Sequence, residues 1–217
     1  MEVDTMRKRI ALFGGTGRTG TLFLDRALAA GYQVKALVRS PQKVTQQHDN
    51  LTIVEGDVLD PLTVDKAITD TDVVVSLFGH VKNSPEWLQT NGTKNIVAAM
   101  KNEGVKKIVS LSGGGLPFPE KDEPKFMDKL IRGAMKLFAA KILTDAIEHH
   151  GVLSNSGLDW IIVRGPRLTN GEEKGTYRTG WVGVNSGTSI SRADLSDFLL
   201  KQVEDDTYLS QMPFVSY

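Results

Sequence analysis

The residues best suited to chemistry begin at Gly14-Gly15-Thr16-Gly17-Arg18-Thr19-Gly20. They follow the apolar run Ile10-Ala11-Leu12-Phe13 and lead into an amphipathic stretch over residues 19–30. A strand, a glycine turn and a helix in that order make a cradle for the phosphates of a dinucleotide. Gly14 and Gly17 allow the tight turn and let the backbone approach a pyrophosphate, and Gly20 lets the helix pack closely on the strand. The free N–H groups and the positive dipole end of the helix then face the phosphates. The spacing is G-x-x-G-x-x-G, so the strand before it and the helix after it carry the assignment.

Further along, three places offer polar groups at strand ends. The second apolar run closes on Leu37-Val38-Arg39 with no acid. Sites that prefer a free ribose 2′-hydroxyl end this strand in Asp or Glu; a planar guanidinium instead suits a 2′-phosphate. NADP is therefore expected over NAD, although an exposed strand-end arginine would read the same way. Glu55-Gly56-Asp57-Val58 follows the third run. Asp57 can accept from an adenine amino group with Val58 packed on the ring, and serves equally as a turn or cap residue. Ser112 precedes Gly113-Gly114-Gly115, where a hydroxyl beside bare backbone can orient a substrate, or can cap the loop. Arg164-Gly165-Pro166-Arg167 closes the sixth run and brings Pro166, expected among the cofactor contacts, and Arg167 to the same edge.

The elements that must position these residues are short apolar runs alternating with helical patterns, the signature of a parallel sheet with crossover helices. Strands are expected at 9–13, 33–38, 51–55, 72–78, 106–111 and 159–163. They are rich in Val, Ile and Leu and alternate poorly, as strands buried on both faces do. Helices are expected at 18–30, 41–47, 61–68 and 85–103, with Asp60-Pro61 and Ser84-Pro85 as N-cap and N1 pairs. Gly104 closes the fourth. A long helix is expected over 124–153, with Phe126, Leu130, Ala134, Leu137, Phe138 and Lys141 on one face, packed as core. Lys141, ending that face, is expected to reach the crevice. Extended pieces at 175–178 and 188–190, a helix at 191–202 with Ser191 and Asp194 as a capping box, and a strand at 213–217 on the sheet edge complete the chain. No linker divides it. It reads as one α/β domain with a doubly wound parallel sheet, residues 164–190 forming a substrate-side extension.

Composition narrows the class. The 217 residues suffice for a substantial core. Basic and acidic residues balance at 26 each, against a nucleic-acid or anionic-membrane surface, and Arg7-Lys8-Arg9 reads as a solvated strand lead-in. No apolar stretch is long enough for a membrane helix, and the polar start holds no secretory h-region, so a cytoplasmic protein is expected. There is no cysteine, and the four histidines lack metal-ligand spacing.

These residues resemble the atypical short-chain dehydrogenase/reductases, in the branch of NmrA-like proteins and biliverdin IXβ reductase/flavin reductase. The resemblance spans nearly the whole chain. Its carriers are residues 14–20, Leu37-Val38-Arg39, Gly56-Asp57-Val58, the segment NGTKNIVAAMKNEGVKKIV at 91–109, Ser156-Gly157-Leu158-Asp159-Trp160 and residues 190–194. The match implies phosphate contacts from Gly14, Thr16, Gly17, Arg18 and Thr19, a 2′-phosphate contact from Arg39, and adenine contacts from Asp57 and Val58. It implies that Leu77, Phe78 and Gly79 border the ribose and that Ser112 lies near the nicotinamide. Two departures stand out. The general acid of the reductases is the tyrosine of Tyr-x-x-x-Lys, and none of the four tyrosines here has Lys four residues later. Where extended members carry it the chain reads Leu137-Phe138-Ala139-Ala140-Lys141. Arg167 replaces the histidine that follows the proline in biliverdin IXβ reductase. Without the phenol, carbonyl reduction loses its proton donor. The expected activity is therefore NADPH-dependent hydride transfer to a planar conjugated acceptor (a flavin, a quinone or a tetrapyrrole), with Arg167 and Lys141 available to an anionic substituent. A non-catalytic NADP(H) sensor is the alternative. The expected partner is a small molecule, and the expected state a monomer or weak homodimer.

Overall fold

All six apolar runs become strands in the computed structural model, which describes residues 7–217; the polar start, residues 1–6, lies outside them. β1 (Arg9–Phe13), β2 (Gln33–Val38) and β3 (Leu51–Glu55) fall where expected. β4 (Val73–Ser76) is shorter than expected, while β5 (Lys107–Gly113) and β6 (Asp159–Gly165) run on past their expected ends. Ile10 and Leu12 of β1 point into one core cluster, Ala11 and Phe13 into the other, so the strand is buried on both faces. On the first face lie α1 (Arg18–Ala29) and α6 (Arg192–Lys201). On the second lie α2 (Pro61–Ile68), α3 (Leu88–Glu103) and α5 (Ala140–Ser154).

Beyond β6, the small strands are β7 (Arg167–Thr169), β8 (Arg178–Gly180), β9 (Ser189–Ser191) and β10 (Phe214–Ser216). The large sheet has the order β3-β2-β1-β4-β5-β6-β10-β8, parallel from β3 to β10 and antiparallel at β8. β7 and β9 form a separate parallel pair. This is a doubly wound Rossmann-like sheet, and the strand order reverses between β1 and β4. A crevice opens there beyond the strands' C-terminal ends.

Several expectations need correction. Residues 41–47 give only the short 3₁₀ turn Pro41–Lys43, since Val44 turns extended and a β-branched pair follows. The fourth helix starts at Leu88, not at Pro85, and Ser84 caps nothing helical: its Oγ accepts from the Val81 N–H at 2.9 Å. Trp87, left-handed at φ 60°, separates the two, and the α3 N-terminus is capped from another helix by Asp145. The expected helix at 124–153 breaks at Ala139 into α4 (Phe126–Phe138) and α5. Its apolar face is not core, because Phe126, Leu130, Ala134 and Leu137 are exposed; the Phe138 side chain lies outside the described part. The last strand, β10, is one place in from the edge, covered by β8. Ser191 does cap α6, accepting from the Asp194 N–H at 3.0 Å. The Asp194 carboxylate does not return to the Ser191 N–H, however. It accepts from the Ser191 and Tyr217 hydroxyls and from the N–H groups of Lys174 and Gly175, tying residues 174–175 to the helix.

Candidate functional site

At the end of β1 the chain must turn within a few residues and enter α1 against its own strand. Gly14 makes the turn at φ +85°, and a Cβ there would lie 2.6 Å from the Phe78 nitrogen. A Cβ on Gly20 would lie 2.0 Å from the Gly14 oxygen. Gly17 is extended at φ −77° and ψ 163° and donates to the Gly14 oxygen at 3.0 Å. The sharp turn therefore belongs to Gly14 alone, and Gly17 contributes room for approach. No side chain caps α1 and no acid sits in its first turn, so its first N–H groups stay free for an anion. Thr16 and Arg18 are exposed beside them, and Thr19 is buried. Arg192, held by the Leu168 carbonyl at 3.2 Å and Asn170 Oδ1 at 2.6 Å, adds a second cation nearby. Burial and then the charge of Arg18 lower its pKa. In the sequence Arg192 stands only inside residues 190–194, one of the stretches that carry the family resemblance.

One cleft gathers Gly14, Thr16, Arg39, Asp57, Val58, Phe78 and Gly79 from four separate stretches of chain. Leu77 flanks it, its carbonyl carbon 2.7 Å from where a Gly14 Cβ would be. Arg39 is mostly exposed, 4.0 Å from Asp57, and so is available to an anion. Asp57 does hold a turn, Oδ1 accepting from the Leu59 N–H at 2.9 Å, while its other oxygen faces Arg39. Two residues missed in the sequence shape this cleft. Gly92 on α3 would put a Cβ 2.8 Å from Phe78 Cζ and 2.9 Å from Val58 Cγ2. Asn95, one turn on, donates to the Val58 carbonyl at 3.0 Å and fixes the loop. These two lie in the segment that carried the family resemblance, which was the available signal.

Across the switch point, β5 and β6 extend in register to Ser112 beside Arg164 and Gly113 beside Gly165. Ser112 is 7% exposed, and its Oγ has no hydrogen-bond partner among the described residues. A buried hydroxyl left unpaired is costly, about 1–3 kcal/mol, so the orphan calls for a reason, although Ser112 itself lies behind the cavity lining, which begins at Gly113. Immediately after it, Gly113, Gly114 and Gly115 form one wall of a mainly apolar cavity of about 400 Å³. Val182 and Phe214 face them, and Pro166, Arg167, Asp128 and Arg132 rim it. A Cβ on Gly114 would lie 2.7 Å from Phe214 Cε2 and 2.9 Å from the Gly165 oxygen, so the wall must be bare backbone at Gly114, whereas Gly113 has open space beside it. Pro166, expected among the cofactor contacts, lines this cavity with Arg167.

The cavity is held by a charge pair that sequence reading passed over. Arg164 is fully buried at the end of β6, its two terminal nitrogens each 2.8 Å from an Asp122 oxygen. It also donates to the carbonyls of Leu116 and Met212, both at 2.8 Å. Asp122 in turn accepts from the N–H groups of Phe118 and Val182. Burial works against the Asp122 charge, but the Arg164 guanidinium and these N–H groups hold its carboxyl below the usual range. Arg164 thus locks the loop after β5 to the segment carrying Val182.

Lys141 is not in this cavity. It pairs with Glu86 and lines a separate one, near 360 Å³, with His80 and Trp87. His80 follows Gly79 directly and bonds Asp145 through Nε2 at 2.6 Å. Burial raises the Asp145 pKa, but bonds from Thr90, Gln89 and His80 outweigh it and keep the carboxyl low. Deeper on α5, His149 Nε2 lies 3.0 Å from Ser110 Oγ with both residues 1% exposed, which removes this serine–histidine pair from solvent and substrate. Leu137, at the place of the family tyrosine, is 75% exposed. Among the described residues, no group of three or more His, Asp or Glu is placed to hold a metal ion. No helix there is long and apolar enough to cross a membrane.

The chain belongs to the NAD(P)H-binding family, whose model matches residues 14–206. It is 27% identical over 156 residues to phenylcoumaran benzylic ether reductase TP7 of Nicotiana tabacum, covering 67% of this chain and 46% of that protein. The chain thus spans under half the length of that relative. Among solved structures it is similar to a wide-type short-chain dehydrogenase/reductase from Veillonella parvula in complex with NADP. There the TM-score is 0.78 and the identity 19%, covering 98% of this chain and 95% of that one. It is also similar to ChuY, an anaerobillin reductase from Escherichia coli O157:H7, with TM-score 0.75, 17% identity and 95% of each chain covered. At these identities the structural likeness is one of fold. Family and fold agree with the class that the sequence resembled, the atypical short-chain dehydrogenase/reductases with an NAD(P)H-binding Rossmann domain.

Proposed function

We propose that the chain is an NADPH-dependent reductase of a planar, conjugated acceptor, of the flavin, quinone or tetrapyrrole kind. The observation that supports this reading is the glycine-walled apolar cavity that opens at Gly113, the residue after Ser112 with its buried, unpartnered hydroxyl. The nucleotide fits the residues present, since the cradle excludes any side chain at Gly14 and Gly20 and leaves the α1 N–H groups unclaimed. Gly14, Thr16, Gly17, Arg18 and Thr19 would hold the pyrophosphate, Arg39 the 2′-phosphate, and Asp57 and Val58 the adenine. Leu77, Phe78 and Gly79 border the ribose. When bound, the reduced nicotinamide supplies a hydride.

The chain's own residues then orient and enclose. Ser112 donates its hydroxyl proton to a carbonyl or amide oxygen placed over β5, which satisfies the orphan and fixes the ring that carries that oxygen. The bare backbone of residues 113–115 offers a flat wall to a flat ring, and Phe214 packs behind it. Arg167 and Arg132 are positioned for an anionic substituent at the rim. No tyrosine stands ready to protonate an alkoxide, which favours acceptors that take a proton from solvent after reduction.

Mixing the protein with NADPH and, in turn, FMN, a quinone and a linear tetrapyrrole tests the reading. Sustained loss of NADPH absorbance over many turnovers is expected with at least one of them. A second reading, a nucleotide sensor without turnover, draws on the absent tyrosine. It predicts tight NADP(H) binding with no sustained consumption.

A further inference from the structure

Helix α4 is built inside out. Phe126, Met127, Leu130, Ile131 and Leu137 are between 51% and 75% exposed. At about 100° per residue they fall within one arc of roughly 140°, and exposed Ala134 lies inside it. The side turned to the body is polar: Asp128 and Arg132, four residues apart, line the acceptor cavity, and Arg132 lies 3.7 Å from Asp122. Lys129 is exposed about 60° beyond the Phe126 edge of the apolar arc, and exposed Lys125 immediately precedes the helix. The carboxylate of α4, Asp128, is turned inward to accept from the Lys125 N–H at 2.9 Å. Elsewhere α1, α2, α3 and α6 bury most of their apolar residues against the sheet, Leu62 of α2 being an exposed exception.

An apolar arc beside a basic row calls for an occupant that is apolar in depth and anionic at its surface. A second copy of α4 would bring the same lysines against each other with no exposed carboxylate between them. An anionic bilayer supplies both features, with phosphates level with the lysines and acyl chains beneath them. The 26 basic and 26 acidic residues balance over the whole chain, so the attraction arises from local segregation on this helix. We propose that α4 docks the protein in the plane of an anionic lipid bilayer, its apolar arc in the headgroup–acyl boundary and Lys125 and Lys129 at the phosphates. Ile131 belongs both to the arc and to the cavity lining, so the docked face adjoins the acceptor site. The proposal stands without the reductase reading, and its test involves no turnover.

Flotation of the full chain with phosphatidylcholine vesicles, with and without phosphatidylserine, tests it. Binding to the phosphatidylserine vesicles should exceed binding to neutral ones by about tenfold or more and weaken as salt is added. The double variant Phe126→Ser, Leu130→Ser should lose that binding, and Lys129→Glu should weaken it severalfold. Both side chains removed in the double variant are exposed, so its melting temperature should match the parent, and sedimentation without vesicles should show a monomer. Equal binding to both vesicle types, or none, overturns the proposal. So does a parent dimer that the double variant dissolves, which would make this face a contact between two copies.

Discussion

Between β1 and β4 the protein makes its site from backbone; between β5 and β6 it makes it from side chains drawn together over long distances. The nucleotide side needs a left-handed Gly14, a Gly20 in contact with it, and the open end of α1, all within seven consecutive residues. The proposed acceptor side needs Asp122 and Arg164, 42 positions apart, to hold a loop that Val182 and Phe214 then complete. The first leaves no room for a side chain at Gly14 or Gly20. The second depends on a buried charge pair whose two members must be present together.

The largest effect should come from breaking that pair. Asp122→Ala leaves the fully buried Arg164 uncompensated and should cost about 3–5 kcal/mol of stability by urea unfolding. Rescue by Arg164→Met in the same chain would confirm that the cost is the stranded charge. A loss under about 1 kcal/mol would mean that the two sides do not differ in this way.

His149 sharpens the contrast through pH. Burial lowers its pKa to about 4, with the Asp145 charge opposing and His150 adding to the shift. Between the unfolded value near 6.5 and the folded one, the unfolded chain binds a proton that the folded chain refuses. Stability should therefore fall as pH drops through that window, by up to about 3 kcal/mol, and recover as pH rises. Below about pH 4 the depressed carboxyls of Asp122, Asp145 and Asp194 add a further loss as they protonate. His149→Asn should flatten the upper limb and leave the lower; urea unfolding at a series of pH values separates the two.

On the nucleotide side, Gly20→Ala should cost about 2–3 kcal/mol of NADPH affinity by calorimetry, because its Cβ would stand 2.0 Å from the Gly14 oxygen. Arg39→Ala should weaken NADPH by about 2 kcal/mol and NADH far less, the signature of a lost charge-assisted pair at a 2′-phosphate. Equal losses for both nucleotides would remove Arg39 from that contact.

The two sides were unequally legible in the sequence. The cradle could be read because its requirements are local: a turn, a close approach and a helix start each demand a residue type at a fixed offset. The inner strands β1, β4, β5 and β6 could be read because burial on both faces leaves apolar runs, and the edge strand β3 because Leu51, Ile53 and Val54 keep it partly apolar. Arg164 could not be read, since nothing in Val-Arg-Gly at a strand end says that an aspartate on a distant loop will meet it. Helix α4 was misread for a related reason. Its periodicity shows that an apolar face exists, but not which way that face turns, and here a rim of Asp128 and Arg132 takes the inward side. The start of α3 differs from the expectation because Ser84-Pro85 reads as a local N-cap and N1 pair, whereas the cap that acts is Asp145 from another helix.

The central claim is that the buried, unpaired hydroxyl of Ser112 orients an acceptor for reduction. Ser112→Ala measures it most directly, in one preparation assayed for NADPH affinity, unfolding stability and acceptor-dependent NADPH consumption. The parent should consume NADPH steadily, and the variant should do so about 5–30 times more slowly, as expected for one lost bond of about 1–2 kcal/mol in the transition state. Its NADPH affinity should be unchanged, and its stability equal or higher, because the orphan hydroxyl contributes nothing to the free protein. Unchanged consumption with lowered stability would make Ser112 a structural cap and contradict the claim, as would a parent protein that binds NADPH and consumes none.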